Sequence, residues 1–194
     1  MIGKKIPNKH PKSTKATRIR RLTNYLRAPE NERAEEKCLY SKGRGFLSET
    51  PEGQTLEMIA LAEESVKSKD PINHYVISWR EGEIPTRDQI EKTVDTVLDE
   101  LGLAGHQVIY GLHADTDNHH LHLAVNRVPD TLKAVEINKG FDIEKLHQAI
   151  ARVEHAQGWQ REVERTLPSA SRWLCRVDRK RQEQNEVGSK AVRY

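Results

Sequence analysis

Residues 113–127 read HADTDNHHLHLAVNR, and the second half of this stretch decides the fold. His120 and His122 are two residues apart, so on a β-strand both side chains point to the same face. The leucines that follow each of them, and then Val125, point to the opposite face, which is the alternation of a half-buried strand. The pattern predicts a strand with one face on a core and a histidine face on a site.

A predicted β-hairpin brings a third histidine to the same place. Asp117-Asn118 is a turn signal, and residues 108–113 before it read VIYGLH, a second strand-like run. If the two strands pair as an antiparallel hairpin, His113 can lie across from His120 on one face. Three imidazoles then converge and leave coordination positions open, which is typical of a catalytic metal rather than a structural one.

Three other polar residues in this stretch have different interpretations. Asp115 either fixes the tautomer of a histidine, acts as a base, or is an ordinary turn residue. Asn126 shares the face of the strand histidines, so it either contacts a substrate or supports the site. His119 shares the parity of the apolar face, and we leave it out of the site.

The composition predicts a single soluble, globular domain with a substantial core. The chain has 194 residues, of which 36% are hydrophobic and 31% charged. No stretch is long and apolar enough to span a membrane, and the basic N-terminus lacks the hydrophobic segment of a secretory signal. The two cysteines, Cys38 and Cys175, fit neither a disulfide nor a zinc pattern, which favours a reducing cytoplasm.

The net charge of +3 hides a strong asymmetry along the chain. Residues 1–29 hold nine lysines and arginines and no acidic residue, whereas residues 30–100 hold nine basic and 17 acidic residues. A basic arm on a nearly neutral chain is typical of nucleic-acid-binding proteins, and a solvated tail is the alternative.

The remaining hydrophobic patterns predict strands and helices in alternation. Strands are expected at residues 2–6, 38–46 and 72–79, in addition to the hairpin. Helices are expected at residues 17–28, 51–69 (with Leu56 and Ala62 inward), 87–101 after a capping box at Thr86, and 143–157. A charged run at 176–186 predicts one more helix. Together these elements indicate an α/β sandwich with a largely antiparallel sheet and the histidines at its centre.

One tyrosine lies at a boundary between basic and apolar surfaces. On a helix, Arg18, Arg21 and Tyr25 form one stripe, beside an apolar stripe that includes Leu22 and Leu26. The ring of Tyr25 can therefore be held while its hydroxyl faces a phosphate that the arginines attract. An ordinary amphipathic boundary residue is the alternative, and Tyr25 is the candidate if any tyrosine attacks a phosphate.

The stretch from His113 to Arg127 resembles the third motif of conjugative relaxases, the DNA-nicking enzymes of plasmid transfer. His120-Leu121-His122 is similar to the signature of the wider HUH endonuclease superfamily, and the P-type mobilisation class is the best match. The segments Leu22-Thr-Asn-Tyr25-Leu and His74–Glu83 resemble the tyrosine and serine motifs of that class. The resemblance covers residues 1–160.

The resemblance implies a palm-like fold with a central five-stranded antiparallel sheet flanked by helices. It implies that Tyr25 is the nucleophile, that Ser78 contacts DNA near the nick, and that Asp115 assists proton removal or orients a ligand. It also implies a divalent metal on His113, His120 and His122. Three imidazoles suit Mn, Zn, Ni or Co by ligand softness, although Mg is an alternative because it is abundant.

The same resemblance gives the basic arm a substrate, single-stranded DNA at a transfer origin (oriT). Backbone phosphates would be held in a salt-dependent way. The residues that we expect to contact DNA are Lys12, Lys15, Arg18, Arg21, Asn126 and Arg127.

Domain organisation and partners are further expectations from the family. We expect a relaxase domain at residues 1–160 and a basic helical extension at residues 161–194 that leads into a C-terminal region. Accessory DNA-binding proteins of the relaxosome and a type IV secretion coupling protein are the expected partners. The expected location is the cytoplasm of a bacterial donor cell, with translocation to the recipient together with the DNA and no insertion into the membrane.

Three other functions compete with this interpretation. A replication initiator or transposase of the same superfamily usually places its tyrosine after the histidines, whereas Tyr25 precedes them. A non-nicking DNA-binding module would bind oligonucleotides without forming a covalent adduct. A metal-dependent hydrolase unrelated to DNA would leave the basic N-terminus unexplained.

Overall fold

A computed structural model describes residues 1–27, 37–66, 68–114, 116–129 and 142–160. Within them, five strands form one sheet in the order β1-β3-β5-β4-β2, and each neighbouring pair is antiparallel. The strands are β1 (Ile2–Ile6), β2 (Cys38–Arg44), β3 (Ile72–Ser78), β4 (Val108–His113) and β5 (His120–Asn126). The helices are α1 (Lys15–Arg27), α2 (Pro51–Glu63), α3 (Arg87–Leu101) and α4 (Asp142–Gln157). The predicted fold class and the central five-stranded sheet are therefore confirmed.

Helices cover both faces of the sheet, and the two faces differ in the size of their side chains. Helices α3 and α4 pack on one face against large residues such as Tyr75, Tyr110 and Leu123. Helices α1 and α2 pack on the other face, where the strands contribute smaller residues, among them Ile109 and Ala124. Because side chains alternate along a strand, the histidines of the hairpin lie on this second face, beside α1.

The β4–β5 hairpin has the predicted register. His113 is paired with His120, and Gly111 is paired with His122. On the other side of β5, Ser78 of β3 is paired with His120. The histidine strand is therefore the middle strand of the sheet, where both neighbours hold its backbone in place.

Helix boundaries differ from expectation mainly at α2. The helix begins at the Thr50 cap with Pro51 in its first turn, as predicted, but it ends at Glu63 rather than at residue 69. Lys15 of α1 donates hydrogen bonds to the carbonyls of Ala62 and Ser65, which satisfies acceptors at the end of the helix. Ala62 is buried as expected, whereas Leu56 is 52% exposed. The residues of α2 that are buried are Thr55, Met58 and Ala62, and Leu56 does not share their face of the helix.

Helix α3 follows its sequence signals closely. Thr86 and Gln89 form the predicted capping box, and Gly102 ends the helix in the left-handed conformation with φ 68°. None of the helices among the described residues is both long and apolar enough to cross a membrane. The helix expected at residues 176–186 lies outside the described residues, as does the rest of the extension expected at residues 161–194.

A network of hydrogen bonds and ion pairs around Glu91 connects β2 and β4 to α3. Tyr40 and Tyr110 both donate hydrogen bonds to Oε1 of Glu91, while Lys42 and Arg44 bind its Oε2. Partial burial alone would raise the pKa of Glu91, but these four donors lower it to about 2. The network fixes β4, the strand that carries His113, from the face opposite the site.

Replacing this carboxylate should produce a pH-dependent loss of stability. We expect Glu91→Gln to lower the free energy of unfolding by about 2 kcal/mol at pH 7, because hydrogen bonds to a charged group are lost. The native pKa of Glu91 is about 2 and the ordinary value is 4.5, so the stabilisation is present above pH 4.5 and disappears as the pH falls toward 2. Urea unfolding of both proteins over this pH range measures the difference.

The control for this prediction is Asp88→Asn, which removes an exposed i,i+4 ion pair with Lys92 on the same helix. Its effect should be small at every pH. A stability difference between wild type and Glu91→Gln that stays constant from pH 7 to pH 2.5 would contradict the proposed role of the network.

Candidate metal centre and its neighbouring tyrosine

Three histidines from β4 and β5 converge on the α1 side of the sheet. His113, His120 and His122 each offer a ring nitrogen, and these nitrogens lie within 4.8 Å of one another. His113 is fully buried and His122 nearly so, whereas His120 is half-buried. The hairpin register therefore assembles the predicted triad on one open face.

The backbone fixes the ring orientation of two of these histidines. Nε2 of His113 lies 3.0 Å from the carbonyl oxygen of Leu26, and Nδ1 of His120 lies 3.0 Å from that of Asn118. A carbonyl oxygen only accepts hydrogen bonds, so each of these nitrogens carries the proton. The lone pair of each ring is then on its other nitrogen, which is the tautomer that metal binding requires.

His74 of β3 orients the third ring. Its Nε2 lies 3.0 Å from Nδ1 of His122. When Nδ1 of His122 donates this hydrogen bond, its Nε2 carries the lone pair. Burial and then the charge of Arg18 lower the pKa of His74 to about 4, so His74 is neutral at pH 7 and has a lone pair with which to accept.

The protonation state of His122 also fits a metal ligand. Burial, and then the neighbouring His113 and His74, lower the pKa of His122 to about 2. A ligand histidine must be neutral, and this one needs no proton release at pH 7. Three imidazoles, each oriented by a hydrogen bond at one ring nitrogen, fit a divalent metal with room for further ligands.

Tyr25 lies at the edge of this triad, on α1. Its hydroxyl oxygen is 3.5 Å from Nε2 of His122, and its ring meets those of His113 and His122 edge-on at centroid distances of 5.3 and 5.1 Å. The side chain is 40% exposed, so a solvent-borne substrate can reach it. The tyrosine singled out by its place on a helix is therefore the one at the candidate metal centre.

A lysine that the sequence did not indicate lies over the same tyrosine. Nζ of Lys37 is 4.5 Å from the ring centroid of Tyr25, which is a cation–π contact. Lys37 directly precedes β2, on the edge of the sheet next to β4. It adds a positive charge beside the tyrosine and the histidine triad.

Gly111 permits α1 to come this close to the sheet. A Cβ atom at this position would lie 2.2 Å from the carbonyl oxygen of Leu26, far inside van der Waals contact. That same oxygen accepts the hydrogen bond from His113. The absence of a side chain at Gly111 therefore sets the spacing between α1, which carries Tyr25, and β4, which carries His113.

The other predicted site residues are distributed around the centre. Ser78 lies beside His120 on the same face of the sheet, and Arg21 and Lys12 are exposed. His119, which we left out, is absent from the histidine group, and its carbonyl instead accepts a hydrogen bond from the backbone of Trp79. Asp115 lies outside the described residues.

Four of the residues expected to contact DNA are engaged within the protein, and one of them, Arg127, donates hydrogen bonds to Ser68 and to the carbonyl of Asp70. Lys15 binds the carbonyls at the end of α2, and Arg18 forms an ion pair with Asp70. Asn126 is fully buried, and its amide binds the carbonyl of Met58 and the backbone N–H of Val128. Its side chain supports the end of β5, so we do not carry it forward as a DNA contact.

A five-stranded antiparallel sheet with convergent histidines at its centre and a tyrosine at their edge is the architecture of a relaxase-type nuclease domain. The family described as "Relaxase: MobA/VirD2-like, nuclease domain" matches residues 25–159 of the chain. The chain belongs to this family.

Individual relatives agree with this assignment. Protein MobA of Acidithiobacillus ferrooxidans is 69% identical over 106 residues, which are 54% of this chain and 26% of MobA. A Protein TraI of Escherichia coli is 26% identical over 136 residues, 70% of this chain and 18% of TraI. A second Protein TraI of Escherichia coli is 34% identical over 76 residues, 39% of this chain and 10% of that protein. The chain thus spans about a quarter, or less, of the length of these curated relatives.

The hydrogen bond from His122 to His74 should contribute to metal affinity. We expect His74→Leu to weaken Mn²⁺ binding about tenfold to 100-fold, since the partner that selects the tautomer of His122 is lost. His74→Gln offers an amide oxygen as acceptor and should retain most of the affinity. Isothermal titration calorimetry measures both, with His120→Ala as the reference for a lost ligand.

The matched control is His155→Leu, at an exposed position of α4. It should bind Mn²⁺ as the wild type does. Equal affinities for wild type and His74→Leu would rule out the positioning role of His74.

A methyl group at Gly111 should disturb the centre without touching a ligand. We expect Gly111→Ala to cost about 1–3 kcal/mol of stability, because the added Cβ meets backbone that has to move. Since α1 is pushed away, the bond between Leu26 and His113 lengthens and Mn²⁺ affinity falls. Denaturant unfolding and calorimetry measure the two effects.

Gly43→Ala is the control for Gly111→Ala, because the atoms nearest to its Cβ would be those of the Gln54 side chain rather than backbone. It should leave metal affinity unchanged. If Gly111→Ala also bound Mn²⁺ as tightly as the wild type, the spacing of α1 would not matter to the centre.

Proposed function

We propose that this chain nicks and rejoins one strand of DNA at a transfer origin, with Tyr25 as the nucleophile. The observation that carries the proposal is the position of the Tyr25 hydroxyl, 3.5 Å from Nε2 of His122 at the edge of the triad. Membership of the relaxase nuclease family supports DNA as the substrate.

The proposed reaction is a transesterification. The oxygen of Tyr25 forms a bond to the scissile phosphorus, the bond from phosphorus to the 3′-oxygen breaks, and the proton of the phenol is lost as the 3′-hydroxyl gains one. The products are a 5′-phosphotyrosyl end and a 3′-hydroxyl end. Because one phosphodiester replaces another, little free energy is lost, and the same residue can release the strand in the reverse reaction.

The three histidines would hold a divalent cation, which supplies charge to polarise the scissile phosphate and to offset the charge that develops there. Mg²⁺ and Mn²⁺ are the ions we expect in use, while the donor set also suits Zn²⁺, Ni²⁺ and Co²⁺. The hydrogen bonds to Leu26, Asn118 and His74 orient the three rings and would keep their other nitrogens available to such an ion.

The phenol of Tyr25 needs help in losing its proton, because its ordinary pKa is about 10. The positive charge of Lys37 over the ring favours the charged form of the nucleophile. Asp115 remains our proposal for the group that assists proton removal or orients a ligand. We propose that Ser78, which is paired with His120, contacts the strand near the nick.

The exposed basic residues Lys12 and Arg21 are proposed to bind backbone phosphates of the same strand. We further propose that the full protein acts in a bacterial donor cell with relaxosome accessory proteins and a secretion coupling protein, and that it travels to the recipient with the DNA. A strand-specific role at a transfer origin distinguishes this proposal from a general nuclease.

The nucleophile assignment predicts a covalent adduct that depends on one hydroxyl. A fluorescent single-stranded oligonucleotide spanning the nick site, incubated with Mn²⁺ or Mg²⁺, should yield a protein–DNA adduct that survives denaturing electrophoresis. Tyr25→Phe should abolish the adduct while retaining DNA binding, because only the attacking oxygen is removed.

Tyr40→Phe is the matched control, since its hydroxyl binds Glu91 on the opposite face of the sheet. It should form the adduct at the wild-type level. An adduct undiminished in Tyr25→Phe would refute the nucleophile assignment, and oligonucleotide binding with no adduct in any metal would favour a non-nicking DNA-binding module.

A further inference from the structure

A cavity of about 380 Å³ lies directly beside the candidate metal centre. Residues from the end of β1, the start of β3 and the N-terminal part of α1 line it. One of its walls is His74, whose Nε2 also contacts His122 at 3.0 Å. The cavity and the triad are therefore neighbours that share a side chain.

The charges around this cavity do not balance. Three cations and two carboxylates line it. Lys5 is paired with Asp142, and Arg18 is paired with Asp70. Arg127, the third cation, forms no ion pair with a carboxylate among the residues that the structure describes. Among the described residues, one positive charge of this cavity is therefore left without a carboxylate partner.

Both arginines are held in place by neutral oxygen atoms. Arg18 donates to the carbonyl of Ile72 at 3.0 Å, and Arg127 donates to Oγ of Ser68 at 3.1 Å and to the carbonyl of Asp70. The Nε atom of Arg127 is buried and has no hydrogen-bond partner within the described part of the chain. A fixed guanidinium with an unused donor is suited to bind an anion.

The two guanidiniums also repel each other. Burial, and then the charge of Arg127, lower the pKa of Arg18 to about 10, so Arg18 remains charged at pH 7. The like charges are close enough to interact, and the single carboxylate of Asp70 pairs with only one of them. A singly charged anion would reduce this repulsion.

We propose that the Arg18–Arg127 cavity binds a phosphodiester group of the substrate strand, next to the one that is cut. The proposal rests on the proposed function, because it requires single-stranded DNA at the triad. The strand would pass from Tyr25 over His74 and place a neighbouring phosphate against Arg127. This contact would fix the strand on one side of the nick.

A purely structural role is the competing explanation, since these arginines also tie α1 and the end of β5 to the loop before β3. The two explanations differ in sign for Asp70→Asn. Loss of this carboxylate removes an ion pair and should not improve any property of a purely structural cluster. In a phosphate site it removes a competing negative charge, so DNA affinity should rise about fivefold at low salt.

The first experiment uses a fluorescein-labelled 20-residue oligothymidylate, and it measures anisotropy over a range of NaCl concentrations. We expect Arg127→Gln to weaken binding about tenfold at low salt and to reduce the slope of log K against log[salt] by about 0.7, the value of one phosphate contact. Arg127→Lys should keep the slope, because its charge remains. Thermal melting of every variant checks that it is folded.

Arg152→Gln is the matched control, because Arg152 is an exposed arginine of α4 that is paired with Glu100. It should leave affinity and slope unchanged. The proposal is overturned if Asp70→Asn fails to tighten binding, or if folded Arg127→Gln keeps the wild-type slope.

A second experiment locates the contact along the strand. Single neutral methylphosphonates are placed in turn at each position flanking the nick in the transfer-origin oligonucleotide. The affinity of the wild type should fall most when the methylphosphonate is at one particular position. The affinity of Arg127→Gln should not change at that position, and at the other positions it should change as the affinity of the wild type does. An unchanged profile in Arg127→Gln would overturn the cavity assignment.

These experiments distinguish an error in the cavity assignment from an error in the proposed function. If the wild type neither binds the oligothymidylate nor forms an adduct at Tyr25, the proposed function fails. If the adduct forms and the arginine and aspartate variants bind DNA as the wild type does, only the cavity assignment fails.

Discussion

The hydrogen bond between the carbonyl of Leu26 and Nε2 of His113 is the constraint on which the site depends. It joins the last turn of α1 to β4 at 3.0 Å, and Gly111 makes the approach possible because any Cβ there would collide with the same oxygen. The carbonyl belongs to the residue next to Tyr25. The carbonyl of Leu26 therefore fixes the tautomer of His113, a candidate ligand. Because Tyr25 directly precedes Leu26, the same contact also holds the candidate nucleophile near the histidines. Helix ends leave such carbonyls without an intrahelical partner, so the acceptor costs the helix nothing.

The difference between the two faces of the sheet follows from the same constraint. On the α3–α4 face, large aromatic and aliphatic residues fill the space between sheet and helices, and the Glu91 network closes its edge. On the α1–α2 face, the strands contribute residues such as Ala124 and Gly111, which let helices approach closely. The packing on the first face stabilises the sheet. Because the sheet is rigid, the side chains of three strands and one helix are held in fixed positions on the second face. A site built on central strands is positioned more tightly than one built on loops.

Much of this arrangement could be predicted from the sequence. The alternation around His120 and His122, the turn at Asp117-Asn118 and the hairpin register were sufficient for the triad, and helix periodicity was sufficient to single out Tyr25. Alternation assigns a residue to a face, but it does not tell which strands are neighbours or how deep a position lies. His74 has the parity of Ser78, yet its contact with His122 depends on β3 lying beside β5. Asn126 has the parity of the ligands, yet α2 covers that end of the strand and buries it. Lys37 lies far from Tyr25 in sequence, and no local pattern connects them.

The candidate metal centre is built from uncharged groups, and this determines how much of a bound cation's charge it would leave uncancelled. Its candidate ligands are imidazoles, and the groups that orient them are two backbone carbonyls and the neutral ring of His74. Carboxylate ligands, or carboxylate partners of the ligand rings, would each cancel part of the charge of a bound cation. Neutral donors leave that charge available to an anionic substrate. Lys37 adds positive charge over the ring of Tyr25, and Arg127 adds positive charge in the cavity that His74 lines. Such a surface suits an anionic substrate, and in the reaction that we propose it would offset negative charge that develops on the scissile phosphate.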